Sequence, residues 1–442
     1  MQSDDSWKEF NLGDVIELKR GYDLPKGKRS VGAVPIVSSS GISDFHSEAM
    51  VKGPGVVTGR YGTIGEVYYI DGDFWPLNTT LYVRDFKGSD PRFISYFLRT
   101  LDFQAYSDKG AVPGINRNHL HSAKVRIPAL PVQKAIARIL GALDSKIDLN
   151  RRINQTLEAM AQAIFKSWFV DFDPVKAKIT AIEQGQDPLR AAMRTISGKS
   201  DAELDQIPRE QQDQLAATAA LFPDSMQESE LGEIPKGWAT SALGSVTDYL
   251  NRGISPKYLE NGGVLVLNQK CIRDFRVDES KGRRHDPTQR KIDGRALELG
   301  DVLVNSTGVG TLGRVAQVLC LNELTIVDSH VTVVRASHQL NASYLGQYII
   351  WKHPDIEAMG DGSTGQTELS RAKLSELPVL TPRENVLKAF DNLISPLNNE
   401  ISVNDRESVK LTELRGILLP KLLSGELSVS DVSKLSSTTG AA

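Results

Sequence analysis

The chain has 442 residues, 40% hydrophobic and 24% charged, with a net charge of −3; it is too long for one core and too ordinary in composition for a disordered or fibrous protein. Two cysteines, Cys271 and Cys320, argue against a disulfide framework and fit a reducing cytoplasm. The acidic start MQSDDSWKEF is unlike a secretory signal, and no apolar run nears the ~18 residues of a membrane span, so a cytoplasmic protein without membrane contact is expected.

Taken in chain order, residues 1–128 read as a mixed module. Short β-rich stretches such as Gly55-Val56-Val57-Thr58 and Glu66-Val67-Tyr68-Tyr69-Ile70 are punctuated by glycine, and an amphipathic helix follows from Arg92 to Leu101. The seven histidines lie far apart except His119 and His121, which have no cysteine or carboxylate at ligand spacing, so no metal site is expected. Over 129–170, Ile136, Leu140, Leu143, Ile147, Asn150, Asn154, Leu157, Ala161, Ile164 and Trp168 step by four and three, a heptad seam.

Residues 171–236 hold 13 acidic and 7 basic residues, with prolines at 174, 188, 208 and 223, which predicts an extension of short helices and turns rather than a third core. A second mixed module follows over 237–378, with a helix from Ala342 to Trp351. Within it, Lys270 to Arg295 carries nine Lys/Arg against five Asp/Glu. Over 379–425 a second seam reads Val386, Phe390, Leu393, Leu397, Ile401, Asn404, Ser408, Leu411, Leu418 and Leu422, with Pro396 expected to kink or restart the helix. Residues 426–442 are expected to be a disordered tail.

The two modules are copies of one unit. Trp7…Leu12-Gly13…Arg20-Gly21 reappears as Trp238…Leu243-Gly244…Arg252-Gly253, and Gly62-Thr63-Ile64-Gly65-Glu66-Val67 as Gly310-Thr311-Leu312-Gly313-Arg314-Val315. Leu120-His121-Ser122-Ala123-Lys124-Val125 matches Leu369-Ser370-Arg371-Ala372-Lys373-Leu374, and Ile147-Asp148-Leu149-Asn150 matches Ile401-Ser402-Val403-Asn404. Similar helices at equivalent places in a duplicated chain are expected to pair with each other. The fold class expected is therefore α+β: two similar mixed α/β domains separated by long helices that form an antiparallel coiled coil, with an internal pseudo-twofold repeat.

The stretch 360–367, GDGSTGQT, mimics a phosphate-binding loop, but Gln366 stands where the lysine should be and Pro378 follows too soon for the helix that would hold the phosphate. Its first-copy counterpart, Lys109 to Arg117, has no such pattern. Both read instead as equivalent loops of small and amide residues, suited to phosphate or base-edge contacts.

In order and in duplicate, these features resemble the specificity subunit of a Type I restriction–modification enzyme. The likeness covers residues 6–425 and rests on the Trp…Leu-Gly starts, G-T-[IL]-G-x-V, Pro113-Gly114-Ile115-Asn116-Arg117-Asn118, Ile127 to Gln133, Phe165-Lys166-Ser167-Trp168-Phe169 and Leu419 to Glu426. One departure is Gly365-Gln366-Thr367, where Pro-Gly-Ile-Asn-Arg would be expected.

The resemblance implies two target-recognition domains, each reading one half of a split sequence in double-stranded DNA. It also implies a helical spacer that docks two methyltransferase subunits, and a complex joined by restriction and motor subunits. The chain itself would be non-catalytic and hold no cofactor; S-adenosylmethionine, ATP and Mg would belong to the partner subunits.

Basic and amide residues at repeat-equivalent, glycine-flanked loops are the candidate DNA contacts. In the first module these are Lys19, Arg20, Arg60, Tyr61, Thr63, Asn116 and Arg117. In the second they are Arg252, Lys270, Arg273, Ser306, Thr307, Arg314, Thr364 and Gln366. An enzyme is the first rival reading, but no Asp/Asn-Pro-Pro-Tyr/Phe adenine grip is present, and Glu17-Leu18-Lys19 and Glu279-Ser280-Lys281 are three-residue matches that arise by chance. The other is a coiled-coil adaptor without DNA binding, in which Trp7, Tyr22, Tyr61, Trp75 and Trp238 would be core or interface aromatics.

Overall fold

The computed structural model describes residues 7–107, 114–308, 310–360 and 368–432. The chain divides into two compact units, Met1–Asn150 with Arg406–Ala442, and Arg151–Asp405.

In the first unit, β1 (Trp7–Asn11), one turn of helix α1 (Leu12–Val15) and β2 (Glu17–Arg20) are followed by β3 (Val34–Ser38), β4 (Gly41–His46), β5 (Gly55–Gly59), β6 (Val67–Ile70), β7 (Trp75–Pro76) and β8 (Thr80–Asp85). Helices α2 (Pro91–Leu98) and α3 (Arg117–His121), strand β9 (Lys124–Pro128) and the long α4 (Leu130–Phe169) complete the series. An antiparallel sheet runs in the order β2-β8-β5-β6, a smaller one in the order β4-β3-β7, and β9 returns to pair with β1. The run GVVTG of β5 lies between β8 and β6 with every residue buried, as a stretch without polar alternation requires.

Helix α2 starts where Asp90 accepts the Phe93 N–H at 2.8 Å and Pro91 presets the first turn. It is shorter than the stretch read to Leu101. Arg99, Thr100 and Leu101 each bond three residues back, so the chain tightens and leaves the helix.

The second unit begins its own elements with α5 (Asp173–Glu183), α6 (Pro188–Ser197), α7 (Asp201–Leu204), α8 (Arg209–Ala220) and the hairpin β10 (Met226–Ser229)–β11 (Gly232–Pro235). Ala192, Met193, Leu204 and Ala219 bury against one another, so this acidic stretch does build a small core of its own, contrary to the sequence expectation. Arg190 and Arg194 fasten it by pairing with Asp201, Arg190 also with Asp205.

The module that follows contains β12 (Ala239–Ala242), β13 (Thr247–Arg252), β14 (Tyr258–Leu259), β15 (Val264–Leu267), the hairpin β16 (Ile272–Arg273)–β17 (Arg276–Val277), and β18 (Arg283–His285). Strands β19 (Val302–Asn305), β20 (Val315–Gln317), β21 (Thr325–Val327) and β22 (Val331–Ala336) come next. Helices α9 (Ala342–Trp351), α10 (His353–Ala358) and α11 (Arg371–Ser375), strand β23 (Pro378–Thr381) and helix α12 (Glu384–Ser424) close the series.

The sheet β13-β22-β19-β20 repeats β2-β8-β5-β6, β12 pairs with β23 as β1 does with β9, and β15 runs parallel to β21 as β3 does to β7. Backbone bonds fix the equivalence of positions. The Leu12 N–H reaches the Ala123 carbonyl at 2.8 Å, and the Leu243 N–H reaches the Leu377 carbonyl at 2.8 Å.

That pairing corrects the match of 120–125 with 369–374. The fully buried Leu120 of α3 corresponds to the fully buried Leu374 of α11, and Arg117 to Arg371. A short Leu-x-x-Ala-Lys likeness misled because burial and backbone pairing, not the order of small residues, set the register.

Within the first unit α4 and α12 run antiparallel. Asp144 receives Arg415 at 2.5 Å and the Tyr96 hydroxyl at 2.5 Å, Lys146 meets Glu407 at 3.0 Å, and Asn150 donates to Glu407 at 2.8 Å. Within the second unit Asn154 donates to Asp405 and receives the Asn404 amide, both at 2.9 Å. The seam in α4 is buried or half-buried at each expected position. In α12 it differs at one: Leu393 is 41% exposed and Ile394 is fully buried. Pro396 does not restart the helix. It faces solvent, where water can satisfy the Asn392 carbonyl that a proline leaves free.

Candidate nucleic-acid interface

Three loops of the first module meet at one end of its larger sheet. The β5–β6 loop gives the Arg60 N–H to the Thr79 carbonyl at 3.0 Å, and the Ile115 N–H reaches the Arg60 carbonyl at 3.1 Å. Tyr61 and Gly114 form a single β-bridge across the same seam. Arg20, at the end of β2, donates to the Asn78 carbonyl at 3.3 Å, so the β7–β8 turn joins the group.

Side chains are held over this junction. The Arg60 guanidinium lies 4.6 Å from the centre of the Tyr61 ring and its Nε points to the Ile115 carbonyl. Asn116 caps α3 by accepting the Asn118 N–H at 3.0 Å, which leaves Arg117 exposed at the first helical position. Thr63 is exposed in the loop. Lys19 reaches Tyr22, whose phenol is pulled below its ordinary pKa by the hydrogen bond with Tyr82 and then by Lys19; burial pushes Tyr82 the other way. Among the described residues, Arg20, Arg60 and Arg117 have no carboxylate within ion-pair distance.

The second module repeats the backbone links of this junction. The Ser306 N–H reaches the His330 carbonyl at 2.8 Å, the Leu369 N–H reaches the Ser306 carbonyl at 2.8 Å, and Thr307 bridges Glu368. Ser306 thus takes the place of Arg60, Thr307 that of Tyr61, and Glu368-Leu369-Ser370-Arg371 that of Gly114-Ile115-Asn116-Arg117. Gly365, Gln366 and Thr367, where the sequence departs from the expected pattern, lie outside the described residues.

The candidates of this module fare unevenly. Ser306 is fully buried and bonds Thr332 at 2.5 Å, so it builds the loop and cannot meet a ligand directly. Thr307 is half-buried against His330 at 2.7 Å. Arg252 is engaged by Glu368 at 2.5 Å and the Leu369 carbonyl at 2.8 Å, which ties β13 to the junction. Arg314 turns back to the Gly310 carbonyl at 2.8 Å. Lys270 and Arg273 are exposed near the β16–β17 hairpin, Arg273 beside Asp274 at 3.5 Å. Thr364 and Gln366 lie outside the described residues.

Two things escaped the sequence reading. Arg371, equivalent to Arg117, donates to Asn251 at 2.6 Å and has no carboxylate partner among the described residues. It lines an open cleft of about 630 Å³ with Gly244, Thr247, Leu250, Ser370 and Ser375. The misplaced register of α11 hid it. The other is a pair of structural histidines: His46 and His285, both buried, each accept a backbone N–H at Nδ1 at 3.0 Å, from Ser30 and Lys257. No spacing in the sequence links them.

The class defined by these features is a duplicated mixed α/β module with paired helices, each copy presenting the same three-loop junction. The family description "Type I restriction modification DNA specificity domain" matches residues 4–159. The HindI specificity subunit of a Type I restriction enzyme from Haemophilus influenzae is 27% identical, over 95% of this chain and 99% of that protein. The MjaIX specificity subunit from Methanocaldococcus jannaschii is 22% identical, over 81% of this chain and 74% of that one. The fold is shared with a Type I restriction–modification S subunit from M. genitalium, at a TM-score of 0.59 and 14% identity over 96% and 97% of the two chains. Residues 4–159 thus match a Type I restriction specificity domain, and the chain as a whole is similar to Type I restriction specificity subunits.

Proposed function

We propose that the chain is the DNA-reading subunit of a Type I restriction–modification complex, each mixed module recognising one half of a split target in duplex DNA. The observation that supports this most is the duplicated junction, where Arg20, Arg60 and Arg117 in one module and Arg371 in the other have no carboxylate partner among the described residues. Clustered cations repel unless an anion joins them, and the phosphate backbone is the anion that a sequence reader meets first.

In this reading Arg117 and Arg371 are the first choices for base contacts, because a guanidinium can meet guanine O6 and N7 bidentately. Arg252 and Ser306 act by holding the loops. The chain carries out no chemistry. It docks two methyltransferase subunits along its helices, restriction and motor subunits join, and S-adenosylmethionine, ATP and Mg are used there, in the cytoplasm. No helix among the described residues is long and apolar enough to cross a membrane.

The test is selection of bound duplexes from a random library by the chain assembled with its methyltransferase partner. Two short fixed blocks separated by an indifferent gap are expected. Replacing Arg117 with Ala should relax one position in one block and cost ~1–3 kcal/mol there. A single uninterrupted motif, or none, overturns the reading.

A further inference from the structure

The basic run of the second module has no role in the junction. The paired histidines show what it replaces. With His46 and His285 in register, Asp44 of β4 corresponds to Arg283 of β18, and Val31 to Tyr258 of β14. In the first module that edge carries fewer unpaired cations: Asp44 pairs with Arg29 at 2.8 Å, Ile42 and Phe45 are exposed, and of the neighbouring cations Lys26 and Lys28 are exposed without a carboxylate partner among the described residues.

In the second module the same edge is built differently. The Arg283 guanidinium lies 3.3 Å from the centre of the Tyr258 ring, and both residues are exposed. Residues 281–295 contain six Lys/Arg against two Asp. Glu323 neutralises Arg284 through two contacts of 2.5 and 2.9 Å. For Lys281, Arg283, Arg290, Lys291 and Arg295 there is no carboxylate partner among the described residues. Arg295 donates to the Arg252 carbonyl at 2.7 Å and Arg290 to the Ser255 carbonyl at 3.1 Å, so the strip is continuous with the segment that leaves the junction.

A guanidinium stacked on a phenol face keeps its position while its rim N–H groups stay free, an arrangement suited to phosphate oxygens. Five unneutralised cations along one short segment fit a polyanion better than a protein surface of mixed charge. We infer that the β14–β18 edge of the second module is a sequence-independent phosphate-binding strip that holds the duplex beside the bases its junction reads, and that the first module lacks it. This rests on the DNA-reading function above and adds an asymmetry between the two modules.

The experiment measures affinity of the full-length chain for a 30-bp duplex of random sequence across a salt series. It compares the natural protein, a strip variant (Lys281→Ala, Arg283→Ala, Lys291→Ala) and a charge-matched control (Lys176→Ala, Lys199→Ala, Arg209→Ala). The strip variant should lose roughly two to three from the slope of log affinity against log salt, at about 0.9 per phosphate. The control should keep the natural slope, and the target selected in the assembled complex should be the same for all three. An unchanged slope in the strip variant, or an equal loss in the control, overturns the strip while leaving the DNA reader intact. A changed half-target would show that the strip reads bases, which overturns its independence of sequence. If the natural chain shows no salt-sensitive binding, the DNA-reading function itself fails, and the strip with it.

Discussion

His121 shows how a single side chain couples the candidate interface to stability. Its Nε2 accepts the buried Leu18 N–H at 2.9 Å, which requires a neutral ring. Burial, and then the charges of Arg117 and Lys87, hold its pKa below the ordinary histidine value. A lowered folded pKa means that its contribution is present above the unfolded value of about 6.5 and is lost as pH falls through the folded one. His121→Ala should therefore cost about 1–2 kcal/mol at pH 8 through the unmet N–H, and the cost should shrink toward pH 5. Urea midpoints at the two pH values check this; an equal cost at both would show that the ring's protonation is not involved. Cys271 offers a second test at this scale. Burial pushes its thiol up to about 11, whereas Cys320 is half-buried. At neutral pH a thiolate reagent should count one fast cysteine in the native chain and two after denaturation; two fast thiols in the native protein would contradict the burial of Cys271.

Among the elements, the β16–β17 hairpin is the addition that reaches the helices within its own unit. Arg276 binds Asp405 of α12 through contacts of 2.5 and 2.6 Å and Glu158 of α4 at 2.6 Å. Burial raises both carboxyls, against the pull of Arg276. Groups raised in the fold favour it below their unfolded pKa and lose that contribution as pH rises through the folded value. Arg276→Ala leaves both acids without their cation, so it should cost roughly 1–3 kcal/mol at pH 7, less than for a fully buried pair because the side chains are partly exposed. Near pH 4.5 the loss should be smaller, since the carboxyls can take protons. Thermal unfolding at the two pH values decides it, and a loss that grows on acidification would refute this account. The helix seams themselves were readable from their spacing. The exchange of Leu393 for Ile394 was not, because two adjacent apolar residues are equivalent in a periodic pattern until a partner surface chooses between them.

For the whole molecule, duplication with independent modules makes a definite forecast. Exchanging residues 237–378 for the same region of a similar specificity subunit should change one half of the selected target and leave the other as it was. Two new halves from one exchange would show that the modules do not read independently.

The sequence by itself determined the duplication, the mixed character of the modules, the paired seams and the family resemblance, because each is written as a repeated local pattern. Tertiary structure alone decided which loops converge, that Ser306 is interior, that Arg371 stands where Arg117 does, and that Arg283 rests on Tyr258. These depend on backbone pairing between segments tens to hundreds of residues apart. The register of such pairing follows from buried leucines and histidines rather than from the small residues that look alike along the chain.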